Sequence, residues 1–124
     1  MILCDTNILI EAYRNNIHIS DIIKNIGSEN LAISDVTCIE LFFGAKNKHE
    51  LHIISKDINN WIVLPIQREI SVMAVRLVEK YCLSHKLALG DALIAATAIC
   101  HNLELFTLNL KDFTFIPGLK LYRP

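Results

Sequence analysis

The chain has 124 residues, of which 52% are hydrophobic, and a formal net charge of −1. These values predict one domain over residues 1–124 and exclude a uniformly basic protein, so that any binding of nucleic acid needs a local patch. The longest run without a charged residue is Ala92–Leu103, shorter than the roughly 18 residues that span a bilayer, and Met1–Asn7 has no basic leader segment, so we expect a cytoplasmic protein with no membrane partner.

Short apolar runs alternate along the sequence with segments of helical periodicity. In chain order these are the strand Met1–Cys4, the helices Ile8–Arg14 and Ile19–Ile26, the strand Leu31–Ser34, the helices Asp35–Ala45 and Lys46–Asn60, the strand Trp61–Ile66, the helices Gln67–His85 and Leu87–Cys100, the strand Glu104–Leu108 and a short edge strand, Leu119–Tyr122. We expect Gly90 to form the turn into the Leu87–Cys100 helix. The alternation predicts an α/β fold with a mostly parallel sheet of four to five strands and helices on both faces.

Four carboxylates interrupt or follow these apolar segments. Asp5 and Asp112 each follow a predicted strand, and Glu40 lies on a helix that follows one. Asp91 is the only charge in Leu87–Cys100, a helix apolar almost all round and therefore buried, so its carboxylate must cap, pair or bind a cation. Because the carboxyl ends of parallel strands meet at one edge of a sheet, we expect the four acids to converge.

Helix capping is the competing interpretation of these acids. Asp5 is a residue type typical of N-caps. Thr37 and Glu40 have the spacing of a capping box, which requires the helix to begin at Thr37. If Ser34 or Asp35 caps that helix instead, Glu40 lies in its second turn and faces inward among apolar side chains.

Carboxylates that share a pocket raise one another's pKa unless a cation neutralises them. An all-oxygen ligand set favours Mg²⁺ or Mn²⁺ over zinc. Such an ion polarises a phosphoryl group, generates or orients hydroxide and stabilises the leaving oxygen. The acids therefore predict a metal-dependent phosphoryl site.

The four cysteines do not form a metal-binding pattern. Cys4, Cys38, Cys82 and Cys100 are widely and irregularly spaced, and no CxxC occurs. We expect buried free thiols rather than disulfides or a zinc site.

Four blocks of the sequence carry a resemblance to a known family. They are Leu3–Asn7, Ile33–Gly44 with Glu40 and Leu41, Asp91 with Leu93–Ala96, and Thr107–Phe113. In this order and at these separations they resemble the PIN-domain ribonucleases, most of all the VapC-like toxins of bacterial toxin–antitoxin systems. The resemblance covers essentially the whole chain and implies a three-layer α/β/α fold.

The resemblance also implies an activity and a site. It implies an endoribonuclease that uses Mg²⁺ or Mn²⁺ to hydrolyse RNA phosphodiester bonds, leaving 5′-phosphate and 3′-hydroxyl ends. Asp5, Glu40 and Asp91 are then the metal-binding acids, with Asp5 and Asp91 as direct ligands. Asp112 is the fourth catalytic acid, since Asn109 carries no charge where the family often has an acid. The polar residues expected to orient the carboxylates are Thr6, Asn7, Ser34, Thr107 and Asn109.

The family further implies a homodimer and an antitoxin partner whose C-terminal segment lies along the active-site groove. Phe42, Phe43 and Trp61 are candidates for exposed interface residues, although packing in the core is the preferred interpretation of all three. The basic residues near the acidic blocks, which are candidates to bind RNA phosphates, are Arg14, Lys46, Lys48, Lys86 and Lys111.

Two other functions remain open at this point. One is another acid-and-Mg²⁺ phosphoryl hydrolase, such as an aspartyl-phosphate hydrolase, with Asp5 as the nucleophile. The other is a non-catalytic PIN-like scaffold that binds RNA or a protein, which the uncharged Asn109 would favour.

Overall fold

The computed structural model describes residues 1–124, the whole chain. The strands are β1 (Ile2–Cys4), β2 (Leu31–Ser34), β3 (Ile62–Leu64), β4 (Glu104–Phe106) and β5 (Lys120–Leu121). The helices are α1 (Thr6–Tyr13), α2 (Ile17–Ile26), α3 (Asp35–Phe43), α4 (Lys48–Ile58), α5 (Arg68–His85) and α6 (Leu89–Cys100). Short 3₁₀ turns lie at Ser28–Asn30 and Leu110–Asp112. Every predicted strand and helix is present, with its ends moved by a few residues.

All five strands pair in parallel in the order β3-β2-β1-β4-β5. The chain winds from β1 outward to β3 and then returns to the other side of β1 with β4. The strand order therefore reverses at β1, which is the place where open α/β sheets form a crevice at their carboxyl ends. Cys4 pairs with Phe106, so the residues just after β1 and β4 lie side by side at that crevice.

The core consists of two apolar clusters, one on each face of the sheet. Residues of α5 and α6 pack with Leu3, Ala32 and Leu105 of the strands. Residues of α1, α2 and α4 pack with the alternate strand positions, such as Cys4 and Ile33. The three-layer α/β/α architecture with helices on both faces is therefore confirmed.

The starts of α1 and α6, which bear on the site, differ from the sequence predictions. Helix α1 begins at Thr6 rather than Ile8 because Asp5 caps it directly, with its side chain accepting the Thr6 N–H. Gly90 does not form the turn before α6, because the helix already begins at Leu89 and Gly90 lies inside its first turn. Asp91 is in the first turn, as predicted.

The expectation that all cysteines are buried is wrong for two of them. Cys4 and Cys38 are buried, whereas Cys82 and Cys100 are exposed, and all four are free thiols. An apolar residue type alone does not predict which cysteines are buried, since α5 also exposes Val75 and Leu83. None of the helices has both the length and the apolar character needed to cross a bilayer.

Candidate functional site

Asp5 is a buried carboxylate held from two sides at the carboxyl end of β1. Its side chain is 5% exposed. Oδ1 accepts the Thr6 N–H at 2.8 Å, and Oδ2 accepts the Thr107 hydroxyl at 2.7 Å. A carboxylate has about four lone-pair positions, so capping α1 leaves acceptor capacity on both oxygens. The N-cap and ligand interpretations of Asp5 are thus compatible.

Thr107 has its proton directed at Asp5. Its Oγ1 also accepts a hydrogen bond from Asn7 Nδ2 at 3.4 Å and another from the Asn109 N–H at 3.1 Å. Because a hydroxyl has one proton and both of these neighbours are donors, Thr107 must donate to the carboxylate. Asn7 in turn accepts the Leu108 N–H at 3.3 Å. Thr107 therefore holds the Asp5 carboxylate by a hydrogen bond, Asn7 contacts Thr107, and Asn109 contacts Thr107 through its backbone N–H.

Glu40 is not part of a capping box. Ser34 caps α3, with its Oγ accepting the Val36 N–H at 3.0 Å. The Ser34 side chain forms this helix cap and no hydrogen bond to a site carboxylate. With α3 beginning at Asp35, Glu40 lies in the second turn.

Glu40 also does not face inward, although a helix capped by Ser34 was expected to place it there. The side chain is exposed, and its neighbours Ile39 and Phe43 are 61% and 92% exposed, because α3 buries a different face. The Glu40 carboxylate instead lies beside the start of α1, where its Oε1 accepts a hydrogen bond from the Thr6 hydroxyl at 2.7 Å. A Cβ added at Gly90 would lie 3.1 Å from Glu40 Oε2, so this carboxylate reaches the first turn of α6.

Thr37 is a site residue that the sequence interpretation missed. Its Oγ1 lies 2.9 Å from Thr6 Oγ1, and its side chain is fully buried. Thr6 gives its single proton to Glu40, so Thr37 must be the donor to Thr6. The signal in the sequence is a threonine one helical turn before Glu40, a spacing that the capping-box interpretation also explains.

Asp91 is the most perturbed of the four acids. It lies half-buried in the first turn of α6, which has no side-chain cap. Burial, followed by the charges of Asp5, Asp112 and Glu40, raises the pKa of Asp91 to about 6. Burial also raises the pKa of Asp5, and the neighbouring Glu40 and Asp112 add to that rise against the two hydrogen bonds that lower it.

Asp112 belongs to the same cluster. It ends the 3₁₀ turn after β4, and its charge raises the pKa of both Asp5 and Asp91. Asn109, by contrast, is exposed. The charges of Glu40 and Asp112 thus act on both Asp5 and Asp91, although the four acids lie on four separate segments.

Residues 2–115 match the family model of the PIN domain. The chain belongs to the PIN-domain family. It is 34% identical over 122 residues to Ribonuclease VapC10 of Mycobacterium tuberculosis, covering 97% of this chain and 91% of the relative. It is 29% identical over 125 residues to Ribonuclease VapC19 of the same organism, covering 97% and 98%. The predicted resemblance is confirmed.

Solved structures of toxin–antitoxin systems share this PIN fold. A chain of a toxin–antitoxin complex from Klebsiella pneumoniae superposes with a TM-score of 0.82 at 34% identity, covering 100% of both chains. A chain of VapBC2 from Rickettsia felis, in a structure with a DNA fragment from the VapBC2 promoter, superposes with a TM-score of 0.82 at 26% identity. The match covers 98% of each chain.

No basic side chain of this PIN domain neutralises the acids. Its one ion pair joins Arg14 to Glu11 at 3.5 Å. Lys46, Lys86 and Lys111, like Lys48 and Arg14, are exposed, and none forms an ion pair with a site carboxylate. The site consequently has an excess of negative charge.

The donor set fits a hard divalent cation that keeps part of its water shell. No group of three or more His, Cys, Asp or Glu side chains is arranged to hold a metal ion by itself. Mg²⁺ usually retains several waters and is bound through one or two carboxylates. Asp5 and Asp91 could supply these carboxylates without a third protein ligand. Cys4, which precedes Asp5, is a protonated thiol at neutral pH, because burial, followed by the charge of Asp5, raises its pKa to about 12.

Proposed function

We propose that this PIN-domain protein is an endoribonuclease that hydrolyses RNA with Mg²⁺ or Mn²⁺, and that it is the toxin of a cytoplasmic toxin–antitoxin pair. The observation that supports the chemistry is the convergence of Asp5, Glu40, Asp91 and Asp112 without a basic partner. Burial, followed by the charges of Asp5, Asp112 and Glu40, raises the pKa of Asp91 to about 6, and a cation would relieve the repulsion among these carboxylates. The ribonuclease relatives support RNA as the substrate.

In this proposal Asp5 and Asp91 would hold the metal ion, with Glu40 and Asp112 as the further acids of the site. The ion, when bound, polarises the scissile phosphate and stabilises the leaving oxygen. Thr107 keeps Asp5 in one orientation, and Thr6 does the same for Glu40. The exposed position of Glu40 at the mouth of the site suits it to accept a proton from an attacking water.

The partner assignments follow from the structural relatives and from exposed apolar residues. The toxin–antitoxin complex from Klebsiella pneumoniae supports an antitoxin partner. Phe42 and Phe43 of α3 are 38% and 92% exposed, contrary to the preference for core packing, and we assign them to an antitoxin or homodimer interface. Trp61 packs partly buried against the core. Of the basic candidates, the exposed lysines remain proposed phosphate contacts, whereas Arg14 already pairs with Glu11.

Cleavage of RNA by the purified protein tests this function. A total-RNA extract and random-sequence oligonucleotides should be cut in Mg²⁺ or Mn²⁺, with 5′-phosphate ends, and should be left intact in EDTA. Undiminished cleavage in EDTA would refute the metal-dependent site. Binding of RNA without cleavage in any divalent metal would favour the non-catalytic scaffold, and a phosphoryl group trapped on Asp5 would favour the aspartyl-phosphate alternative.

Removing the Thr37 hydroxyl should impair the site from a distance. In Thr37→Val the Thr6 hydroxyl loses its donor, so Glu40 is less firmly oriented, and we expect cleavage to fall about 10-fold or more. Urea unfolding should report a loss of about 1–3 kcal/mol, because a buried hydrogen bond is left incomplete. Thr37→Ser keeps the hydroxyl and should restore most of the activity. Equal activity of the Val variant and the wild type would contradict the role of this threonine.

A further inference from the structure

A cleft of about 340 Å³ adjoins the acidic site. It lies between the start of α2, the end of β4 and residues Tyr122–Pro124. Thr107 forms part of its wall, and the Thr107 hydroxyl is 2.7 Å from Asp5 Oδ2. The volume falls in the range of about 300–1,000 Å³ that small-molecule sites occupy. A molecule in this cleft would therefore contact the residue that orients Asp5.

The wall of the cleft is apolar and held in place. Its apolar side chains are Ile19, Ile22, Leu108, Leu110 and Tyr122. The Tyr122 ring packs edge-on against buried Phe106, with ring centroids 5.3 Å apart. The backbone of Leu108 is bonded to Asn7, yet the Leu108 side chain stays 46% exposed. The surface is therefore formed before any ligand arrives.

Two nitrogen-bearing side chains complete the cleft. His18 and Arg123 line it, are exposed, and form no ion pair with an acid. A guanidinium group beside an apolar wall suits a ligand that combines a flat ring with an anion, because Arg both stacks on planar rings and binds phosphate in two-point fashion. Single-stranded RNA presents this combination, with unstacked bases beside phosphates.

We propose that this cleft binds the base and phosphate of a nucleotide next to the scissile phosphate, an inference that rests on the proposed ribonuclease function. The base packs on Leu108, Leu110 and Tyr122, while Arg123 and His18 contact its phosphate. The two neighbouring sites differ in the charge that they favour. The acids on one side of Thr107 favour a cation, and the cleft on the other side favours the anionic phosphate. The cleft then contributes to substrate selection, separately from the carboxylates.

Nucleotide binding measured by NMR tests the cleft without requiring cleavage. AMP and UMP should shift the backbone amide signals of Leu108, Leu110 and Arg123, with dissociation constants of about 1 mM. Adenosine or inorganic phosphate alone should bind more weakly. Arg123→Ala should weaken nucleotide binding about tenfold, as expected for a lost charge-assisted contact. Arg76→Ala, which removes an equal exposed charge from α5, should leave it unchanged. Absence of these shifts at about 10 mM nucleotide would overturn the assignment and leave the cleft to a protein partner.

A cleavage experiment distinguishes failure of the cleft from failure of the proposed function. Leu108→Trp fills the cleft and should raise KM for random-sequence RNA about tenfold, with kcat and metal binding nearly unchanged. Leu83→Trp, at a 93% exposed position on α5, is the matched control and should behave as wild type. Normal KM in both Leu108→Trp and Arg123→Ala, with cleavage still dependent on metal, would refute the cleft and leave the ribonuclease function intact.

Discussion

Asp91→Asn should slow RNA cleavage by orders of magnitude while making the protein more stable. Asparagine keeps the shape of the side chain but lacks the charge that a divalent cation needs. Metal assistance provides several kcal/mol of transition-state stabilisation, and each 1.36 kcal/mol is a factor of ten, so we expect a loss of about 10²–10⁴-fold. Initial rates on a fluorescently labelled RNA measure this loss.

The stability gain in the same variant has a separate cause. At neutral pH the wild-type carboxylate is ionised despite a pKa that burial, Asp5, Asp112 and Glu40 raise to about 6. Removing the charge should increase the free energy of unfolding in EDTA by about 1–2 kcal/mol after allowance for screening by solvent. Asp21→Asn, at an exposed acid on α2, should change neither quantity. An Asp91→Asn protein that cleaves normally, or that is markedly less stable than wild type, would contradict this assignment.

The second large effect is an inverted pH dependence of the metal-free protein. The ordinary pKa of an aspartate is 3.8, and that of Asp91 in the folded protein is about 6, so between these values the folded state binds more protons than the unfolded state. The contribution of Asp91 to stability is therefore fully present below about pH 4 and is lost as the pH rises through about 6. The raised pKa of Asp5 acts in the same direction.

Urea unfolding in EDTA at several pH values, for wild type and Asp91→Asn, isolates this contribution. Other carboxylates contribute their own pH dependence to both proteins, and the difference between the two removes it. That difference should grow in favour of the variant by about 1–2 kcal/mol as the pH rises from about 4 to 7.5, and Mg²⁺ should reduce it by stabilising only the wild type. A difference that does not change with pH would show that Asp91 is not perturbed by its neighbours.

The convergence of the acids could be predicted because it follows from topology. Asp5 and Asp112 come after strands that turn out to be parallel, and parallel strands have their carboxyl ends at one edge. Asp91 was identifiable from its isolation in an apolar helix, since an unpartnered buried carboxylate is costly. The PIN-domain resemblance fits the same residues, so pattern and family agree on them.

The surroundings of Glu40 could not be predicted, because they depend on which neighbouring side chain caps α3. Ser34, Asp35 and Thr37 are all capping residue types, and the choice of Ser34 sets the register that frees Thr37 for the hydroxyl chain to Thr6. A shift of one position would change the face that Glu40 occupies. Sequence alone does not resolve competition between equally suitable caps.

Exposed apolar residues were mispredicted for a related reason. Phe43 is 92% exposed, although packing in the core is the preferred interpretation from the sequence. Hydrophobic periodicity locates the apolar faces of a helix but does not say whether a face meets the core or another protein. Cys82, on the same helix as Leu83, is exposed as well.

The central claim is that a divalent cation binds at the four converging carboxylates and supports RNA hydrolysis. Titration of the protein with Mn²⁺, followed by electron paramagnetic resonance and calorimetry, tests it most directly. We predict that Mn²⁺ binds saturably to the wild type and to Asp21→Asn but not to Asp5→Asn or Asp91→Asn. RNA cleavage should require Mn²⁺ over the same range of concentrations. Equal Mn²⁺ binding by the wild type and both site variants would contradict the account.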